Sequence, residues 1–113
     1  MACEFEASVS YGHGKFSALN TDVQFIEITE FSVEFDLFIM QRSLTPRLAG
    51  TYDSFISFTA IGTQVAVSFC IGDAFCGRGL GTEEPRLSGR FAIDSECLNK
   101  LNSYFRSLAN MKL

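Results

Sequence analysis

The chain has 113 residues, a hydrophobic fraction of 47% and a formal net charge of −4. This length favours one domain over residues 1–113, large enough to bury a core without disulfides or a structural metal. There is no apolar run of about 18 residues and no basic, apolar leader at Met1, so we expect neither a transmembrane helix nor a signal peptide, and a cytoplasmic protein with reduced cysteines.

The negative charge is concentrated in the first part of the chain. Residues 1–41 hold seven acids and one base, whereas residues 42–113 hold six acids and eight bases. Repulsion of phosphate disfavours nucleic acid as a partner of the first part, and a basic protein would be attracted to it. The sequence indicates no membrane partner, and it leaves the oligomeric state open.

The first predicted element is a strand over residues 4–11, in which apolar and polar side chains alternate. Glu4 and Glu6 lie on its polar side. Glycines then predict a turn into a short strand at residues 15–19. A second turn leads to a strand at residues 23–28, which ends in a bulge or break.

Residues 31–40 predict a longer strand, because every odd position is apolar. Glu34 and Asp36 stand on its opposite side, and with Glu30 they form an acidic row. The two acids of the first strand form a second row. If these strands are neighbours, the exposed face is an extended anionic surface that suits a basic partner. Simple solvation of the acids is the alternative.

Residues 54–71 predict a β-hairpin whose register follows from the sequence, after a loop at residues 41–51. If Gly62 and Thr63 form a two-residue type II′ turn, then Phe58 faces Val67. This register gathers the apolar side chains on one face, and a slip of one residue would scramble both faces. The apolar face then consists of Ile56, Phe58, Ala60, Val65, Val67, Phe69 and Ile71.

A long glycine-rich connection at residues 72–89 leads to a short strand at residues 90–93. Asp94 is a good N-cap for an amphipathic helix over residues 95 to about 109, which would pack on the sheet. These elements predict an α+β fold: a twisted antiparallel sheet of about five or six strands with one C-terminal helix on one face. A β-sandwich or partly open barrel with the same helix is the alternative.

The loop of residues 72–81 is the strongest candidate for recognition. Its alternate glycines could direct backbone N–H groups at an anion, with Arg78 as a further donor. Phosphate binding is disfavoured, because no helix begins there and two glutamates follow. Phe75, Arg78 and Leu80 are predicted instead as anchors for a protein partner, and a plain connection is the other interpretation.

The sequence offers only weak catalytic or metal-binding candidates. His13, between two glycines, is typical of an exposed turn residue rather than half of a dyad with Cys76. The spacing of Cys70 and Cys76 is wider than in zinc knuckles. Glu34 and Asp36 would lie about 7 Å apart on one strand face, where solvated carboxylates are also common. We therefore expect no enzyme activity, no metal and no cofactor.

Three functional hypotheses follow. The first is a small non-enzymatic acidic protein-binding module, an inhibitor or immunity-type protein that blocks a basic bacterial enzyme, toxin or defence component. Its predicted contact residues are Glu4, Glu6, Glu30, Glu34, Asp36, Phe75, Arg78 and Leu80. The second is a small-ligand-binding protein or enzyme with a Phe-lined pocket under the loop of residues 72–81. The third is a structural subunit that assembles through an exposed strand edge.

Overall fold

The computed structural model describes residues 2–72, 75–77, 81–83 and 86–111, with the side chains of residues 3–10, 12–72 and 86–111. Over this part the chain is α+β, as predicted, with antiparallel sheets and a C-terminal helix. The expected single sheet of five or six strands is instead divided. The described strands form one sheet of four strands and two separate two-stranded pairs.

The N-terminal residues form a two-stranded ribbon. Strand β1 (Ala2–Tyr11) pairs antiparallel with β2 (Gly14–Gln24), which confirms the first predicted strand. The predicted turn near Asn20 is a bulge inside one continuous strand, because the pairing register shifts there. The side-chain oxygen of Asn20 accepts a hydrogen bond of 2.9 Å from the backbone N–H of Asp22, which is the local contact that the turn-like sequence favours.

The prediction of a strand over residues 31–40 was wrong, because this segment belongs to helix α1 (Ile28–Met40). Its apolar residues satisfy the strand period and the helix period at once. The helix is the form that packs here, since the ring of Phe35 lies 4.7 Å from that of Phe58 and 5.2 Å from that of Phe105. The buried residues of α1 are spaced as on one helix face: Ile28, Phe31, Ser32, Phe35 and Phe38.

The predicted hairpin is confirmed pair by pair, from Phe55–Cys70 to Ile61–Gln64. Strands β4 (Phe55–Ile61) and β5 (Gln64–Gly72) pair with Phe58 opposite Val67 and Ala60 opposite Val65. Gly62 has a φ of +59°, as the first central residue of a type II′ turn requires. A short strand, β3 (Arg47–Ala49), lies in the predicted loop and pairs with β4.

The glycine-rich stretch is more structured than a plain connection. Within it β6 (Phe75–Gly77) pairs with β7 (Gly81–Glu83). Strand β8 (Arg86–Ile93) begins four residues before the predicted strand and pairs with β5. The four-stranded sheet therefore has the order β3-β4-β5-β8, with β8 at one edge.

The C-terminal helix α2 spans Ser95–Met111, and its N-cap is the predicted Asp94, whose Oδ1 accepts a hydrogen bond of 2.9 Å from the N–H of Cys97. Both helices contribute to one core with the apolar face of the sheet: Phe105 of α2 and Phe31 of α1 meet edge to face at 4.9 Å. No helix among the described residues is long and apolar enough to cross a membrane.

Candidate functional site

The predicted acids do not form one face of two neighbouring strands. Glu4 and Glu6 are exposed on β1, whose pairing partner is β2. Glu30, Glu34 and Asp36 lie on helix α1. The expected continuous acidic sheet is therefore wrong. The idea of paired carboxylates fails as well, because residues two apart on a helix point about 160° away from each other.

Asp36 is engaged within the molecule. Its Oδ1 accepts a hydrogen bond of 3.0 Å from Nδ2 of Asn102 and a second one from the guanidinium of Arg106, both on α2. The hydrogen bond from Asn102, followed by that from Arg106, holds the pKa of Asp36 below its ordinary value. Asp36 thus joins the two helices and is not a free acid for a partner.

The outward face of α1 carries an apolar stripe that the predicted strand did not reveal. Val33, Leu37 and Met40 are 59%, 50% and 86% exposed. Their spacing of four and three residues places them side by side on one helix face. That spacing is visible in the sequence, but it becomes informative only when the segment is treated as a helix.

Two acids accompany this stripe. Glu30 and Glu34 are one turn apart on the adjoining face of α1, and neither forms an ion pair with a described residue. Glu30 lies in the first turn of the helix, and the last turn contains no basic residue. We call Glu30, Val33, Glu34, Leu37 and Met40 the α1 surface. It combines exposed apolar area with uncompensated negative charge.

The predicted anchors in the glycine-rich loop fall mostly outside the residues that the structure describes. The backbone of Phe75 belongs to β6, but its side chain lies outside the described residues, as do Arg78 and Leu80.

The catalytic and metal-binding candidates do not come together. His13 is exposed in the turn between β1 and β2. Burial raises the pKa of the Cys3 thiol. In the described ranges no three His, Cys, Asp or Glu side chains are grouped so as to hold a metal ion.

A search of protein-family models, curated proteins and solved structures finds no match to this chain. The geometry and charge of the α1 surface alone therefore indicate a functional site.

Proposed function

We propose that the chain is a small non-enzymatic protein-binding module, an inhibitor or immunity-type protein, that docks on a basic partner through the α1 surface. The partner would be a basic bacterial enzyme, toxin or defence component. The observation that carries this proposal is the outward face of α1, where Val33, Leu37 and Met40 are exposed beside two acids.

The composition of this face suits a protein interface with an apolar centre and a charged margin. Burial of the three apolar side chains would supply affinity. Glu30 and Glu34 would steer a positively charged partner and orient it on the helix. A helix that is apolar on its outer as well as its inner face is typically covered on both. The inner face of α1 is covered by the core, and a partner would cover the outer one.

The other predicted contact residues have different roles in this proposal. Glu4 and Glu6 would add to the long-range negative potential from β1 rather than make close contacts. Phe75, Arg78 and Leu80 stay predictions from the sequence. Asp36 is left out of the proposed contact set, because Arg106 and Asn102 already bind its carboxylate.

The test is a binding measurement with a partner captured from the native host and then purified. We expect Leu37→Asp to weaken binding by at least about tenfold, because it places a charge in the apolar centre. The double variant Glu30→Lys/Glu34→Lys should also weaken binding, and raised salt should weaken the wild-type complex. Titration calorimetry measures each affinity.

Ile61→Asp is the matched control. Ile61 is 53% exposed at the tip of the β4–β5 hairpin, close to the exposure of Leu37, and it lies outside the α1 surface. This variant should bind like the wild type. If Leu37→Asp and Ile61→Asp bind equally well, or if salt and charge reversal leave the affinity unchanged, the proposal is wrong. A captured enzyme or toxin whose activity persists in the saturated complex would contradict the inhibitor function.

A further inference from the structure

A pocket of about 700 Å³ lies between the ribbon and the four-stranded sheet. Its two walls are strands, with residues 5–9 of β1 on one side and residues 87–91 of β8 on the other. The sheet and α2 complete the lining with apolar side chains, among them Phe58, Phe69 and Phe105. No described lining residue belongs to the α1 surface, so this is a second, separate site.

The lining residues of each wall are consecutive, although successive side chains of a strand point to opposite faces of the sheet. On β8, Gly89 pairs with Phe69 and shares the apolar face with it. Ser88 and Arg90 have their side chains on the other face, so they border the pocket with their backbone. The pocket therefore adjoins the edge of β8 as well as its apolar face.

The edge of β8 carries unpaired backbone groups. The two residues that flank the β4–β5 turn exchange both of their backbone hydrogen bonds, and this pattern alternates along each strand. The odd-numbered residues of β5 and β8 therefore bond to each other. The N–H and C=O groups of Ser88 and Arg90 point away from the sheet, and no other described strand pairs with them.

Strand β1 presents an edge of the same kind on the facing wall. Its hairpin with β2 also has a two-residue turn, and the residues that exchange hydrogen bonds with β2 are Phe5, Ala7 and Val9. The backbone groups of Glu6 and Ser8 lie at the free edge, and both residues belong to the lining. Two rows of backbone groups that no described strand pairs with thus border one apolar pocket.

The apolar surface beside the β8 edge is aromatic. A Cβ atom at Gly89 would lie 2.5 Å from Cε1 and 2.6 Å from Cζ of Phe69, which is too close for two carbon atoms. The glycine leaves this space to the ring, which extends from β5 over β8. A side chain beside the β8 edge would therefore meet the Phe69 ring.

We propose that this pocket binds an extended peptide segment as an additional strand, which pairs with the free edge of β8 and has β1 on its other side. A strand rises about 3.3 Å per residue, so each five-residue wall matches about five residues of peptide. Hydrogen bonds to the β8 backbone would supply affinity, and alternate peptide side chains would pack on the phenylalanine rings.

The charges at the two edges restrict the peptide further. Arg90 and Glu6 are exposed on opposite walls, and neither forms an ion pair with a described residue. The polar side of a bound strand would therefore meet one charge of each sign, which favours a segment without net charge. The segment that fits best has apolar residues at alternate positions and Ser or Thr between them.

The first test asks whether the pocket selects the pattern of a strand. The probe is a pool of acetylated heptapeptide amides in which Val, Leu or Phe alternates with Ser or Thr. The control is a pool of the same composition whose apolar residues are adjacent. We expect immobilised protein to retain the alternating pool in excess, as measured by mass spectrometry. Fluorescence anisotropy then gives the Kd of the most enriched peptide.

The second test removes one hydrogen bond at the free edge. Ser88→Pro deletes an N–H that points away from β5, and we expect it to weaken peptide binding by at least about tenfold. Ala92→Pro is the matched control, because the N–H of Ala92 also points away from β5 but Ala92 does not line the pocket. Thermal unfolding of both variants, compared with wild type, separates loss of pairing from loss of the fold.

The third test changes the peptide, so the fold of the chain is unaffected. Two versions of the enriched peptide are methylated on the backbone nitrogens of their odd-numbered or their even-numbered residues. Strand pairing uses the N–H groups of alternate residues, so we expect at least one version to bind about tenfold more weakly.

Three outcomes would overturn the proposal. The first is that the alternating pool is retained no better than the control pool. The second is an equal effect of Ser88→Pro and Ala92→Pro in variants that remain folded. The third is unchanged affinity of both methylated peptides, which would show that side chains alone hold the peptide. A dimer in light scattering that retains neither pool would assign the free edges to a second copy of the chain instead.

Discussion

Phe35 is the residue at which three elements of the core meet: α1, the four-stranded sheet and α2. Its side chain is fully buried on α1, and its ring packs on that of Phe58 from the sheet and on that of Phe105 from α2. Phe31 and Phe38 extend the same cluster along the helix. The sequence contains twelve Phe and no Trp. The five Phe of this cluster bury large rings that carry no polar atom in need of a hydrogen-bond partner.

We expect Phe35→Ala to lower the free energy of unfolding by about 3–5 kcal/mol, because it leaves a cavity among three elements. The urea unfolding midpoint measures the change. Phe16→Ala is the control, since Phe16 is 56% exposed on the ribbon and its removal leaves no closed cavity. Equal losses for the two variants would contradict the central place of Phe35.

At the scale of elements, the pairing of α1 with α2 has a polar margin beside its apolar core. Asp36 of α1 accepts hydrogen bonds from Asn102 and Arg106 of α2, and these contacts lower its pKa. A carboxyl whose pKa is lower in the folded state stabilises the fold at pH values above its unfolded pKa. That contribution is lost as the pH falls through the lowered value.

The stability of Asp36→Asn should therefore fall less steeply on acidification than that of the wild type, while being lower at neutral pH. Arg106→Gln should likewise lower the free energy of unfolding at neutral pH and weaken its dependence on acid. The loss of unfolding free energy in the double variant should be smaller than the sum of the two single losses. Urea unfolding across the acid range measures this. Lys100→Gln is the control, because the Lys100–Glu96 pair lies within α2 and joins no second element. Full additivity of Asp36→Asn and Arg106→Gln would show that the two side chains are not coupled.

At the scale of the whole molecule, the ribbon is attached to the sheet through a small buried polar cluster. Nδ2 of Asn20 donates a hydrogen bond of 2.9 Å to the carbonyl of Gly72, whose N–H donates one of 3.0 Å to Oγ of Ser54. Asn20 and Ser54 are both buried. Because β1 is paired with β2, this cluster also ties β1 to the four-stranded sheet.

We expect Asn20→Ala to cost about 1–3 kcal/mol, because it leaves the buried Gly72 carbonyl without its side-chain donor. Amide hydrogen exchange should rise along the ribbon more than in β4 and β5. Thr51→Val is the control: it removes the exposed 3.0 Å contact between the Gln24 N–H and the Thr51 hydroxyl, which also joins the ribbon to the region before β4. If ribbon exchange rises no more in Asn20→Ala than in Thr51→Val, the cluster does not anchor the ribbon.

The elements that were predicted correctly are those whose signals are local. Turn chemistry at Gly62 and strict alternation determine the β4–β5 register, and Asp94 with an amphipathic repeat determines the start of α2. The candidate site was harder to predict from the sequence. Glu30 and Glu34 were predicted as contact residues, but on a strand. Val33, Leu37 and Met40 form one surface only when the segment is a helix.

The sequence by itself determined the α+β class, the central hairpin and the C-terminal helix, because each follows from contacts between residues close in the chain. Only the tertiary structure decided that residues 31–40 are helical, since their apolar pattern fits two periods and the rings of Phe58 and Phe105 favour one of them. The same long-range packing separated the ribbon from the sheet and placed β1 opposite β8, with a pocket between them. Contacts between distant segments depend on how faces fit together, which no local spacing encodes.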